Sequence, residues 1–420
     1  MIRSILRGMA SVVFIMSLAS VSYASETEAL MKMLLKKGLI TQTEYDEVTG
    51  ELEKETQWKE HVDKHIIHAE ETVPRFIDGL SIAGGITMIG QGTSGNDKNN
   101  PPEDDVIDGN ISADLELSVK IGEHGEAFIA LEAGAGDGLE GDEITSFWGV
   151  NADAGATSNF QLTEAWYEHK FANDMVTFTI GKLDLTNYFD GNEVANDETT
   201  QFLSPGFVNS IAIEVPDNSA AVRLTVSPVE LLDFSLGAQS DGWEDIDEKD
   251  FFIGEVDIKP KFGNLQCNYR IYGWTNRGDH AELRDASNDK EHGSGYGISL
   301  DQQVTDFLTF FGRAGYQDKK LYEFDIAWSG GLALSGSLWG RDNDAIGIAY
   351  GQARLSSDYK DVLETAGTDP ANEGHFEAYY RLTVNEHLAI SPDLQVITNA
   401  SGDDDFKTVT VGAVRGQVTF

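Results

Sequence analysis

The chain of 420 residues is poor in cysteine and proline, with a single thiol at Cys267 and nine prolines. One thiol excludes an internal disulfide, so no covalent staple holds this fold together. Few prolines leave long segments free to form hydrogen-bonded ladders, and 43 glycines supply tight turns without a low-complexity composition. Basic residues are scarce as well. Thirty Lys and Arg stand against 71 Asp and Glu, a formal net charge of -41, which excludes nucleic acid as a partner. Beyond the N-terminus no apolar run is long enough to cross a bilayer as a helix, and the mean hydropathy is -0.28. A helical membrane protein is thereby excluded. A transmembrane barrel is not, because alternation halves the mean hydropathy of its strands.

Catalytic and metal signatures are missing too. Ser294 lies in Gly293-Ser294-Gly295 with no G-x-S-x-G elbow around it, and the nine histidines form no H-E-x-x-H. His61, His65 and His68 come closest to a metal spacing and read as exposed helix residues. Asp342-Asn343-Asp344 opens like a calcium loop, but Ile346 and Ala353 occupy later ligand positions. No enzyme activity, cofactor or metal site is expected.

What is present begins with a secretory signal over residues 1–24: Arg3 and Arg7, an apolar core from Val12 to Val21, and the small-x-small site Ser22-Tyr23-Ala24. Residues 25–75 read as a short helical periplasmic segment, with Leu30 and Leu34 on one face, Gly38 as a stop and Thr41 with Glu44 as a capping box. A second helix carries Val48, Leu52, Val62 and Ile66, its apolar stripe interrupted by Glu55 and Lys59.

From Leu80 the period becomes two. Ile111, Ala113, Leu115, Leu117, Val119 and Ile121 alternate with Ser112, Asp114, Glu116, Ser118 and Lys120, the apolar-out, charged-in pattern of a strand between lipid and a watery lumen. Cys267 falls in step with Leu265, Tyr269 and Ile271 and reads as a small lipid-side residue. The last strand sets Val418, Gly416, Val414 and Gly412 against Gln417, Arg415 and Ala413, and ends on Phe420. Short turns near residues 122–125, 172–174, 262–264 and 385–387 alternate with long loops at 93–108, 134–159, 182–209, 277–293 and 355–373. That asymmetry predicts an all-β transmembrane antiparallel barrel of about 16 strands over residues 76–420, with tight turns on the periplasmic side. The acid excess is concentrated in the long loops, as at Glu103 to Asp105, Asp137 to Glu143, Glu244 to Glu248 and Asp403 to Asp405, and reads as a solvated rim.

The C-terminal ending resembles that of bacterial outer-membrane barrels. The segment FQLTEAWYEHKFANDMVTFTIGKLDLTNYFDGNEVANDETTQFLSPGFVN at residues 160–209 resembles the central part of carbohydrate-selective porins of the OprB family. GYGISLDQQV, FFGRAGY, SGGLALSG, DAIGIAYGQARLS and ISPDLQVITNAS follow in order, and the resemblance spans roughly residues 109–420. It implies a sugar-permeable lumen narrowed by an inward-folded loop. On that basis Glu164, Lys182, Asp184, Asp190, Asn196, Asp197 and Glu198 are expected at the constriction. Arg223, Arg270, Arg313 and Arg381 project inward by parity, either to solute or into ion pairs with the barrel wall.

The resulting expectation is an exported outer-membrane porin of a Gram-negative bacterium, passing small hydrophilic solutes, foremost sugars. Outer-membrane lipid and lipopolysaccharide, the barrel-assembly machinery acting through Phe420, and a second copy of the chain are its expected partners. A general cation-preferring porin, a barrel kept for adhesion or cell-wall anchoring, and an outer-membrane hydrolase stand as alternatives.

Overall fold

The computed structural model describes residues 79–95, 105–139, 144–155, 157–240, 250–288 and 291–420, together with Lys36 and Gly242. The expected signal, the helical segment, the three clustered histidines and several loop acids lie outside the described residues. Gly79–Phe420 forms one compact unit.

Its strands are β1 (Leu80–Ser94), β2 (Ile107–Ile121), β3 (Gly125–Ala135), β4 (Gln161–Phe171), β5 (Val176–Leu183), β6 (Ser219–Val229), β7 (Leu232–Gln239), β8 (Phe251–Ile258), β9 (Lys261–Phe262), β10 (Leu265–His280), β11 (Glu291–Thr305), β12 (Leu308–Gln317), β13 (Phe324–Ser335), β14 (Ala345–Leu355), β15 (Glu373–Asn385), β16 (Leu388–Thr398) and β17 (Val409–Thr419). Each pairs antiparallel with its neighbours, and β17 returns to β1 from Gly85↔Thr419 to Ser94↔Thr410. The sheet is closed, so no edge is left unpaired in lipid. Both β8 and β9 pair with β10. They are one wall strand interrupted at Lys259-Pro260, where proline supplies no N–H to the ladder, and the barrel has 16 strands.

The alternation read from sequence sets the faces. On β17 Val414 is 54% exposed and faces outward, while Arg415 is 1% exposed and faces in. Outward aromatics gather at both ends of the wall. Tyr296 packs on Tyr316 and Trp328 on Tyr350 toward the long loops, while Trp339 packs on Tyr380 near the short turns, where Phe262 and Phe420 are also exposed. These are the interfacial girdles of a membrane barrel. Cys267 keeps the outward register but is buried, covered where Gln302 Nε2 donates to its Sγ at 2.7 Å. The expectation of a thiol open to lipid is corrected to that extent. Asp344, from the motif that opened like a calcium loop, accepts hydrogen bonds from Arg341, Tyr380 and the Thr383 amide in the turn between β13 and β14.

Two of the long connections enter the barrel. The segment between β5 and β6 runs over residues 184–218, nine residues further than its sequence suggested, and includes the short helix α1 (Pro205–Val208). The segment between β3 and β4 enters as well, which the sequence reading did not foresee. Leu139, Ile144 and Val150 cover the inward side chains of Ile397, Val409 and Val411. Trp148 packs with Phe202 and Phe207 of the second insertion and with Phe311 and Tyr379 of the wall. Leu185 and Phe189 pack on Phe251, Ile253, Tyr272 and Trp274. Inward-facing apolar residues, anomalous for a watery lumen, are therefore the seats of the insertions. A remaining long loop, between β14 and β15, carries the helix α2 (Ser357–Ala366) and stays at the rim, tied by Arg284 to Asp358 at 3.2 Å.

Candidate functional site

The insertions fill one side of the lumen and leave a cavity of about 760 Å³ along the other. Strands β1 to β4 and the end of β17 supply one wall; residues 152–155, 184, 187, 196–199 and 218 of the insertions supply the facing one. Eight carboxylates line it: Asp114, Glu116, Glu132, Asp153, Glu164, Asp184, Asp197 and Glu198. None of the lining residues is Lys or Arg. The large aromatics of the inserted loops, Phe189, Phe202 and Phe207, are 0–2% exposed and pack away from this space.

Local chemistry explains how the carboxylates are held. Glu164 accepts from the Asp184 amide at 3.2 Å and from Asn187 Nδ2 at 3.0 Å, which fixes the start of the second insertion to β4. Asp184 caps the following turn, receiving the Thr186 amide at 2.9 Å. Asp197 does the same for the next turn, receiving Thr199 N at 2.8 Å and Thr199 Oγ1 at 2.7 Å. Asp153 receives Ser112 Oγ at 2.7 Å and Asn110 Nδ2 at 3.0 Å from β2. Burial pushes the Asp153 carboxyl up to about 6 and the Glu198 carboxyl up to about 7, because a partly dehydrated site disfavours the charged form.

Of the residues expected at the constriction, Glu164, Asp184, Asn196, Asp197 and Glu198 thus meet in one cavity. Asp190 does not. It is buried away from this cavity, 2.8 Å from Arg313 Nε, and receives the Ser210 amide at 2.8 Å. Lys182 is also misplaced by the sequence reading. It shares the outward face with the exposed Ile180, and its Nζ reaches the Leu162 carbonyl at 2.6 Å, as a cation does when it snorkels at the end of a membrane strand.

All four arginines are inward, as parity predicted, and three of them are engaged. Arg223 pairs with Glu168 at 2.8 Å and lies 4.1 Å over the Tyr188 ring. Arg270 pairs with Asp301 at 2.8 Å and Asp257 at 3.5 Å. Arg313 adds bonds to the Phe207 carbonyl at 2.7 Å and the Asp190 carbonyl at 2.9 Å. Arg381 makes no ion pair among the described residues and lines a second cavity of about 410 Å³, which shares Gln417 and Thr419 with the first. Asp114, Glu116, Glu132 and Asp153 were not singled out as site residues. For Asp114 and Glu116 the signal was available in the charged row of β2. Arg415, which donates to the Glu198 carbonyl from β17, was visible in the same way.

Comparison with known proteins places this geometry in context. The family model described as "Carbohydrate-selective porin, OprB family" matches residues 99–420. An uncharacterized protein of Aquifex aeolicus is 26% identical over 234 residues, 55% of this chain and 61% of that protein. Porin AaxA of Chlamydia caviae is 20% identical over 267 residues, 59% of this chain and 54% of that protein. The matches therefore span less than two thirds of either relative. The structure of Pseudomonas putida OprB at high pH superimposes with a TM-score of 0.71 at 18% identity, covering 81% of this chain and 94% of that one, which shows a common fold.

Proposed function

The chain belongs to the OprB family of carbohydrate-selective porins, and from that premise we propose that the carboxylate-lined cavity is the route by which small hydrophilic solutes, carbohydrates first, cross the outer membrane by passive diffusion. The observation that supports this route is that Gln417 and Thr419 line both the larger cavity and the second one near the short turns. Carboxylates accept hydrogen bonds from sugar hydroxyls, and several weak acceptors in series bind a solute without trapping it. The protein is a channel in this reading and not an enzyme. Liposome swelling tests it. Vesicles carrying the protein should swell in isotonic monosaccharide at a rate that depends on protein content. Swelling no faster than in protein-free vesicles would refute the proposal.

A second reading concerns selectivity and rests on the charge of the lining. Eight acids and no Lys or Arg, in a space screened less than open water, favour cations over anions. The passage is then a sugar route with a cation preference. Around this core, we infer export by the signal at residues 1–24, a periplasmic position for residues 25–75, assembly of the barrel through Phe420, lipopolysaccharide at the acidic rim, and association of barrels into a homo-oligomer.

A further inference from the structure

The inner face of β15 and the neighbouring β14 form a strip on which both insertions are seated. Along β15 the inward residues are Glu373, His375, Glu377 and Tyr379, with Glu373 toward the long-loop end. Glu373 receives the Phe147 amide at 3.1 Å, the Trp148 amide at 3.3 Å and Ser146 Oγ at 2.6 Å, all from the first insertion. Glu377, four residues and so about 13 Å further along the strand, receives the Ser204 amide at 3.0 Å and the adjacent Leu203 amide, both from the second. His375 between them lies beneath Trp148 and Phe207. On β14, Gly351 pairs with His375, and a Cβ there would come within 2.2 Å of the Trp148 ring.

We propose that Glu373 and Glu377 are positioning residues that set the bore of the channel, each holding one inserted loop against the wall by its backbone amides. This rests on the cavity beside the insertions being the solute passage. Neither side chain lines that cavity, so they act on permeation only through the loops. A carboxylate suits the task because its two oxygens accept from two convergent N–H groups. A glutamine keeps one acceptor and turns its NH₂ against the second donor, leaving buried amides without partners. The insertions also hold each other, through Gly206 N to the Trp148 carbonyl at 2.9 Å and Ala152 N to the Leu203 carbonyl at 2.8 Å. Release at one glutamate therefore disturbs both insertions and with them the wall of the passage that they supply, including the 196–199 turn that carries Asp197 and Glu198.

The test is single-channel recording of the full-length protein and its Glu377→Gln, Glu373→Gln, Glu377→Asp and Gly351→Val variants, with graded neutral polyethylene glycols to measure the exclusion size. Correct barrel assembly is checked by heat-modifiable migration. Glu377→Gln is expected to raise open-channel conductance roughly twofold, as a wider narrowest section would, to admit larger polymers and to add current noise. Glu373→Gln and Gly351→Val move in the same direction, and Glu377→Asp restores part of the wild-type bore. Gly351→Val leaves both carboxylates in place and displaces only Trp148, so it keeps the idea testable should a glutamate variant fail to assemble. Assembled variants with wild-type conductance and exclusion size would overturn the inference. A wild-type protein that conducts nothing would instead refute the channel reading beneath it.

Discussion

The two sides of the lumen use the same residue types to opposite ends. Where the insertions meet β8 to β15, acids and arginines are paired or bonded to loop amides: Asp190 with Arg313, Asp301 with Arg270, Glu255 with the Asp190 amide at 2.8 Å, Glu377 with Leu203 and Ser204. Where β1 to β4 face open space, acids line the cavity with no Lys or Arg among its lining residues. Burial without water requires a partner for every charge, whereas a hydrated wall tolerates charge of one sign. An inward polar residue is thus structural or permeation-related according to what lies opposite it.

The largest expected effect comes from breaking the paired side. Arg313→Ala leaves Asp190 as a buried charge without its partner and removes two loop carbonyl contacts, so it should cost about 3–5 kcal/mol. Asp114→Asn on the open side should stay within about 0.5 kcal/mol. Denaturant midpoints of both variants in detergent check the contrast, and equal losses would erase it.

Next in size is an effect on selectivity. Replacing Asp197 and Glu198 by Asn and Gln removes two of the eight lining carboxylates and should lower the cation preference, while Asp403, Asp404 and Asp405 at the rim should do little when neutralised at physiological salt. Reversal potentials in a salt gradient separate the two sets. A smaller effect is expected from pH. Glu198 titrates near 7 and Asp153 near 6. Both are neutral well below those values and charged above them, so cation preference should rise as pH goes from 5 to 8. Glu198→Gln should flatten the upper half of that rise, which a reversal-potential titration reads directly. Smallest of all, Arg381→Gln should increase cation preference slightly, since this arginine lines only the second cavity.

Much of the barrel was legible because a period of two survives membrane insertion. The strands, the turn asymmetry and the inward Arg415 followed from it, while the inward-folding loop after β5 came from the resemblance to the OprB family. What parity does not contain is the partner. Arg313 and Asp190 lie more than a hundred residues apart in sequence, and only the seat of an inserted loop brings them together. The first insertion escaped notice for the same reason: Trp148 and Val150 carry no local sign of a lumenal position, and the inward Val409 and Val411 that receive this insertion look like ordinary strand residues. Lys182 was misassigned against its own parity, since Phe178 and Ile180 mark its face as outward and only its position at the strand end lets the ammonium reach the rim.

The most direct test of the account is the reversal potential of wild-type single channels in a potassium chloride gradient, compared with a variant in which Asp114, Glu132, Asp197 and Glu198 are replaced by their amides. The account predicts a cation-selective potential for the wild type that falls toward zero in an equally conducting variant. A wild-type channel selective for anions, or a variant whose potential does not move, would contradict the claim that the open, acid-lined side of the lumen is the passage.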